Sequence, residues 1–393
     1  MTPPELQPGQ HVELDIPDIA FGGDGIGRVD GFVVFVPFVI EGERVEVEIV
    51  QVKRRFATAD LVRVITASPR RVEPRCPYYA QCAGCQYQHI GYEHQLELKR
   101  KQIRDIFQRI GGLADPPIEP VVGSPRPYHY RNKIVVHGPG KPGFWSVRGR
   151  SIIPVEQCPI AREEINEKLS AISSQPAAIG KHHTIRCNAA GEVWTFEEPA
   201  PADVSIEETV LGKTLRVPLG SFFQVNREVI ELALKHVRGL FTSSGSKIVV
   251  DAYCGVGLFA LLLADLADHV YGIEIDRAAI AVANQNAERL GLKNYDFYAG
   301  ASDRLLFYTL RQCPLDQACL ILDPPRSGCG KPTLKTLRTQ KPRRIIYISC
   351  APPMLARDVK ELMAAGYRLE RATPFDMFPQ TQHCEVVAEL SHP

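Results

Sequence analysis

The residues best suited to covalent chemistry stand near the end of the chain. They are Cys350 in Ile345-Ile-Tyr-Ile-Ser-Cys350-Ala-Pro-Pro and Glu385 in His383-Cys-Glu385. The cysteine falls at the carboxyl end of an apolar strand, just ahead of a helix starting near Pro353. Helix N-terminal amides lower a thiol pKa, so the position predicts a thiolate. Carbon 5 of a uracil is too poor a nucleophile to attack a methylsulfonium unaided. A thiolate adding to carbon 6 turns the ring into an enolate, and carbon 5 then becomes nucleophilic. A base must afterwards take the proton from carbon 5 so that sulfur can leave, and Glu385 is the residue chosen for it. Taken singly, Cys350 also suits a small buried hydrophobe and Glu385 a surface carboxylate.

A second constellation points to a nucleoside-containing ligand. Val249-Val-Asp251-Ala-Tyr253-Cys-Gly255-Val-Gly257 is a strand, a glycine turn and the start of a helix. Glycines there permit a tight turn and close approach of backbone to ligand. Glu274 ends the next strand, where a carboxylate accepts hydrogen bonds from both ribose hydroxyls. The pattern extends through Ala260 as G-x-G-x-x-A, so it does not choose between NAD and S-adenosylmethionine. The segment Leu322-Asp323-Pro-Pro-Arg326 aims a carboxylate with two rigid prolines. An aromatic in place of Arg326 would suggest methylation of an exocyclic amine; arginine points elsewhere.

A third group is made of thiols. Cys76-x5-Cys82-x2-Cys85, together with Cys158, offers four ligands for zinc or an iron–sulfur cluster. The spacing lacks the paired C-x2-C of a zinc ribbon, and the thiols alone leave both metals open. Cys187, Cys313 and Cys319 look like packing; Cys254 belongs to the glycine turn, and Cys329 and Cys384 have no assigned role.

The elements that must position these residues follow from pattern. At 393 residues the chain is too long for one ordinary core. Its 45% hydrophobic and 23% charged content is that of a globular protein, and a net charge of +1 says nothing about partners. Residues 8–66 alternate like a small antiparallel barrel, with the Phe21–Gly27 glycines placed in its turns. A connector at 68–95 carries three of the clustered cysteines. Gln95–Ile110 predicts an amphipathic helix opening a central domain at 96–220, whose topology the pattern does not assign. From 221 to 393 short apolar strands alternate with helices, which predicts a parallel sheet covered on both faces.

Local charge suggests RNA. Residues 51–75 hold seven Lys/Arg against two acids, and 121–155 hold six basic residues and no acid. The second stretch interleaves Tyr128, His129, Tyr130, Phe144 and Trp145, and charge beside stackable rings suits single-stranded RNA. A solvated basic loop would look the same. The N-terminal residues have no signal-peptide pattern, and no apolar run is long enough to span a bilayer, so the expectation is a cytoplasmic chain with no membrane partner. Eleven cysteines are then expected to be reduced. No obligate protein partner is inferred.

Taken together, these motifs resemble the uridine-C5 RNA methyltransferase family along essentially the full chain. The resemblance rests on Phe222-Phe-Gln224-Val-Asn226, Asp251–Gly257, Gly272-Ile-Glu274, Leu322–Arg326, Ser349-Cys350 and Phe375–Pro379 through Glu385. It implies a Rossmann-like class I methyltransferase α/β domain with a mixed, mainly parallel sheet. It also implies an N-terminal OB-like TRAM barrel at 1–67 and a small α+β central domain. It further implies Gln224, Tyr253, Glu274 and Asp323 as contacts to S-adenosylmethionine, Cys350 as nucleophile and Glu385 as proton acceptor. Cys76, Cys82, Cys85 and Cys158 resemble the 4Fe-4S ligands of TRAM-bearing members, whose target tilts towards 23S rRNA, with tRNA the alternative. Ala351 stands where the family usually has Asn, and Ala301 where a polar residue often faces the adenine. An RNA cytosine-C5 methyltransferase and a non-catalytic RNA-binding protein are the rival readings. The first usually carries a Pro-Cys motif where this chain has Asp-Pro-Pro-Arg. The intact Cys350–Glu385 pair argues against the second.

Overall fold

The computed structural model describes residues 6–138, 141–174, 182–201 and 203–393. Its C-terminal part is built on a seven-stranded sheet. In spatial order the strands are Tyr295–Ala299, His269–Glu274, Ile248–Asp251, Ala318–Leu322, Arg344–Ser349, Glu385–Ser391 and Arg368–Phe375. The first five pair in parallel, Glu385–Ser391 runs antiparallel to both of its neighbours, and Arg368–Phe375 at the edge therefore runs in the direction of the first five. The sheet is therefore mixed and mainly parallel, as the resemblance implied.

The continuous apolar runs of these strands follow from helices on both faces. Alternate side chains of Ala318–Leu322 enter opposite cores, because strand side chains point to opposite faces in turn. Leu320 and Leu322 pack with Phe107, Leu334 and Leu355, while Cys319 and Ile321 pack with Leu234, Phe241 and Leu262. Cys187, Cys313 and Cys319 are all buried, in keeping with packing roles. The helices Ser302–Leu310 and Lys331–Gln340 and the strand Arg368–Phe375 lay outside the sequence-based expectation. Pro332 sits in the first turn of Lys331–Gln340, where its missing N–H costs nothing, so a residue that reads as a breaker opens the helix instead.

Helix Tyr92–Arg109 begins in the connector yet lays Ile103, Ile106 and Phe107 on the methyltransferase sheet. The central part forms a five-stranded antiparallel sheet around Lys133–His137 and His182–Cys187, with helix Glu163–Ser173 packed on it through Ile165 and Leu169. The hairpin Ser205–Val210/Lys213–Pro218 bridges towards the C-terminal sheet.

The N-terminal strands form a six-stranded curled sheet with one departure from the expected pattern. Phe32–Val36 and Phe56–Thr66 pair in parallel, so the barrel is not wholly antiparallel. Gly22 and Gly23 take positive φ in a turn, but Gly25 and Gly27 lie in a strand. A Cβ at either would press on Ile16 or Leu14, so these two glycines permit close strand contact rather than a turn. Among the described residues no helix is long and apolar enough to cross a membrane.

Candidate active site

Strand register brings the two chemical residues together. Ser349 pairs with Val386 in the antiparallel ladder, which sets Cys350 beside Glu385 just past the strand end. Glu385 in turn pairs with Phe375 on the sheet edge. On the other side Leu322 pairs with Tyr347, so Asp323 leaves the neighbouring strand at the same height. Asp251 lies across from Ile321 and Gly272 in the adjoining parallel strands. The carboxyl ends of the strands thus gather one thiol and a row of acids, where ligands of such sheets bind.

Burial governs the charge of this row. The Glu385 carboxyl is held well above the carboxylate range by burial and by nearby Asp323, with Arg326 opposing. Asp323 is pushed up to about 7 by burial. Asp251 also rises to about 7, through burial and then Asp323, although the Tyr253 and Ala260 amides donate to it at 3.4 and 3.2 Å. No described residue donates a hydrogen bond to Asp323, which leaves its acceptors for a ligand.

The expected thiolate is not the resting state of Cys350. Burial and then Glu385 push the thiol up, and only Arg326 pulls it down. Desolvation of the anion is the largest cause, and no amide of helix Pro352–Ala364 is among the groups that lower it. That helix also has no side-chain cap: Ala351 occupies the cap position, where asparagine would accept from the first-turn amides. Ser349 Oγ instead accepts from the Ala351 amide at 3.1 Å. Arg326, quoted in its motif without a role, is therefore the one cation poised to stabilise sulfur anion. Its signal in the sequence was an arginine three residues after an aspartate aimed by prolines.

The loop carrying Arg326 is anchored from behind. Asp358, fully buried, accepts from the Cys329 amide at 2.9 Å and the Tyr347 hydroxyl at 2.7 Å. Tyr253 turns its hydroxyl towards Cys329 and Thr333, and burial raises its pKa. Cys329 thus helps hold this loop rather than standing idle. His383 is pushed down to about 4 by burial and by Arg326, Lys99 and Arg131, so it is neutral beside Glu385.

Glu274 spans the glycine turn. Its Oε2 accepts from the Gly255 amide at 3.1 Å and its Oε1 from the Asp276 amide at 2.9 Å. Each oxygen retains a second lone pair for a diol. Gly257 takes φ of 89°, and a Cβ there would crowd Leu261 at the start of the next helix. Gln224 is buried on the seam with the central domain, where its carbonyl accepts from Asn132 Nδ2 at 3.0 Å. Its side chain makes no hydrogen bond to the carboxylates of the cleft among the described residues. Ala301 immediately precedes helix Ser302–Leu310 and offers no side-chain cap.

The four clustered cysteines line one cavity of about 390 Å³, with Tyr78, Ile134, Phe144 and Phe222 among its walls. Burial pushes all four thiols up, Cys158 to about 11, and neighbouring Cys76, Cys82 and Cys158 push Cys85 further. Among the described residues no three His, Cys, Asp or Glu side chains converge tightly enough for a single ion. Four thiols lining one space are a donor set that either zinc or an iron–sulfur cluster takes.

Two features of the proposed RNA surface differ from expectation. Tyr130 is buried with its hydroxyl donating to the Pro379 carbonyl at 3.0 Å, so its ring is not available for stacking. Several basic residues also form ion pairs within the chain, Arg71 with buried Glu43 at 2.6 Å and, at the surface, Arg63 with Glu46 at 2.6 Å and Arg126 with Glu228. Arg75 lies over the Tyr128 ring at 4.4 Å, and the two line a groove with Arg126, His129 and Arg162.

A glycine turn under an acidic strand end, on a sheet of this order, defines a class I methyltransferase. The family model for tRNA (Uracil-5-)-methyltransferase matches residues 207–392, and that for the TRAM domain residues 5–62. An uncharacterized RNA methyltransferase of Halalkalibacterium halodurans is 33% identical, over 96% of this chain and 96% of its own. One of Bacillus cereus is 34% identical over 99% and 98%. The crystal structure of Pyrococcus abyssi tRNA (uracil-54, C5)-methyltransferase in complex with S-adenosyl-L-homocysteine superposes with TM-score 0.74 at 26% identity. That likeness covers 96% of this chain and 100% of the other. The chain belongs to the uracil-C5 RNA methyltransferase family.

The charge of Cys350 gives a direct test. Alkylation of this thiol by iodoacetamide, followed by peptide mass spectrometry, should still be rising with pH at 9.0. Arg326→Gln removes the cation that favours the thiolate, so its profile should move to higher pH and its rate fall at every pH below the plateau.

Proposed function

We propose that this chain transfers a methyl group from S-adenosylmethionine to carbon 5 of a uridine in RNA through a covalent adduct on Cys350. The observation that carries the reading is the ladder register that sets Cys350 against Glu385, with Asp323 on the adjoining strand. When bound, the cofactor supplies an electrophilic methyl on a sulfonium sulfur. Tyr253, Glu274 and Asp323 at or just past the strand ends, with Gln224 on the seam, would hold it.

The remaining steps belong to the chain's own residues. Cys350 loses its proton to solvent as Arg326 stabilises the sulfur anion, and its electron pair forms the bond to carbon 6. Ring electrons move to the carbon 4 oxygen, and carbon 5 of the enolate then bonds the methyl group, whose former bonding pair stays with the donor sulfur as a neutral thioether. Glu385 accepts the proton from carbon 5. The pair from that C–H bond restores the carbon 5–carbon 6 double bond as the carbon–sulfur bond breaks and returns its pair to sulfur. Burial raises the pKa of this carboxyl, which makes its ionised form a stronger base for the carbon 5 proton.

A thiolate cannot reach a base stacked in a duplex, so the uridine lies in a loop or is flipped, at a cost of about a few kcal/mol. We place the target in a loop of 23S rRNA, on the combination of TRAM barrel and four-cysteine site. The second reading, a tRNA loop, is supported by the family's name and by the Pyrococcus abyssi enzyme. Cys76, Cys82, Cys85 and Cys158 would hold a 4Fe-4S cluster that ties the connector to the central domain. Its role on this reading is structural, and no step of methyl transfer requires it.

Three outcomes are expected. RNA containing 5-fluorouridine, given methyl donor, should leave a covalent complex on Cys350; Cys350→Ala should abolish both this complex and methylation while keeping RNA affinity. Mass-spectrometric mapping of RNA from a deletion strain should show one or more 5-methyluridines missing from 23S rRNA, and loss from tRNA alone would favour the second reading. Anaerobically purified protein should contain about four irons per chain, and stoichiometric zinc without iron would refute the cluster.

A further inference from the structure

The segment running from Asp376 to Cys384 leads directly into Glu385 and contains no helix or strand. An irregular segment without outside support would leave the following carboxylate poorly aimed. It is held from one side by helix Tyr92–Arg109. Lys99 of that helix is buried, and its Nζ donates to Asp376 Oδ1 at 2.5 Å, to the Phe378 carbonyl at 3.2 Å and to the His383 carbonyl at 2.9 Å. All three ammonium protons are thereby used, and they clamp the two ends of the segment.

The neighbours of Lys99 complete the clamp. The Tyr92 hydroxyl donates to Asp376 Oδ2 at 2.9 Å. Gln95 Nε2 donates to Gln380 Oε1 at 3.0 Å, and Gln95 Oε1 accepts from the Gln380 amide at 3.2 Å. The amides of Gln86 and Tyr87, in the cysteine-bearing connector, donate to the Gln380 carbonyl at 3.1 and 3.0 Å. Gln380 itself sits at φ of 68°, a left-handed conformation that a non-glycine residue keeps only when its surroundings impose it.

A buried ion pair is weak support for stability, since apolar residues of similar volume often serve the fold as well or better. The choice of a lysine with three directed donors therefore points to geometry. We propose that Lys99 is a positioning residue for Glu385, fixing the carboxylate over carbon 5 for the final elimination. This rests on the reading of Glu385 as proton acceptor. Elimination needs the carboxylate placed over the proton, whereas addition and methyl transfer do not. Loosening the clamp should therefore stall the reaction after methyl transfer, with carbon 6 still bonded to sulfur and the carbon 5 proton still in place.

The test uses the full chain with S-adenosylmethionine and unfluorinated total RNA from a deletion strain. Lys99→Met, Asp376→Asn and Glu385→Gln are compared on denaturing gels and by mass spectrometry of the Cys350 peptide. For Lys99→Met, turnover should fall by between about tenfold and about a hundredfold, while affinity for S-adenosylhomocysteine stays unchanged. A methylated RNA adduct on Cys350 should accumulate, as in Glu385→Gln. Asp376→Asn keeps the shape of the segment and decides the matter by the same readout if Lys99→Met does not fold. Turnover at the wild-type rate, or lost turnover without adduct, overturns the role of Lys99 when Glu385→Gln does trap adduct. Absence of adduct in Glu385→Gln as well overturns the reading of Glu385 and the proposal together.

Discussion

The constraint on which the site depends is the cost of keeping several acids and a thiol away from water at one edge of a sheet. Asp323 raises the pKa of both Asp251 and Glu385, Glu385 raises that of Cys350, and burial raises all four. Among the described residues Arg326 is the cation that opposes this, at Glu385 and Cys350. A row of buried acids suits a partner that brings positive charge and hydrogen-bond donors. On the proposed reading that partner is the methyl donor, with its sulfonium, amino group and ribose hydroxyls. Buried acids with raised pKa are a liability for folding, while the same burial makes the Glu385 carboxylate a stronger base once it is ionised. Resting neutrality also makes sense of a nucleophile that is not a standing thiolate: it becomes reactive where Arg326 and the substrate meet.

The sheet makes such an arrangement possible because its strands are buried on both faces and end at one level. Parallel strands supply Glu274, Asp251, Asp323 and Cys350 in successive positions, and the antiparallel strand Glu385–Ser391 returns through the same level to add the proposed base. A purely parallel sheet would start that strand at the opposite edge. The reversal of one strand is thus what joins nucleophile and base. Backing the cleft, Asp358 ties the Arg326 loop to Tyr347, and helix Tyr92–Arg109 ties the approach to Glu385. The helix comes from the connector, so N-terminal and C-terminal halves share one rigid seam. That seam also carries Gln224, Asn132, Ser124 and Asn226 in mutual hydrogen bonds.

Much was legible in the chain itself. Short apolar strands alternating with helices announced the α/β sheet, the glycine turn and Glu274 announced a nucleoside site, and Cys350 and Glu385 were visible as chemistry before any coordinates. These are local signals: periodicity, turn residues and the residue at a strand end depend on a few neighbours. Expectations faltered where the decisive contact was distant. Tyr130 sits in a basic, aromatic stretch yet is buried against Pro379. Gly25 and Gly27 look like turn residues yet serve close strand packing. The helix amides ahead of Cys350 suggested a thiolate, but burial in the surrounding fold and nearby Glu385 raise the thiol pKa.

By itself, then, the order of residues determined which groups could react, the kind of sheet that would carry them and the turn that would meet a nucleoside. Only the tertiary structure decided which groups share a charge. Residues 323, 326, 350 and 385 become one electrostatic unit through ladder register, and Lys99 reaches Asp376 and His383 across more than half the chain. The reason is physical: pKa and aim are properties of solvent exclusion and of neighbours within a few ångströms, and those neighbours exist only once the strands have paired.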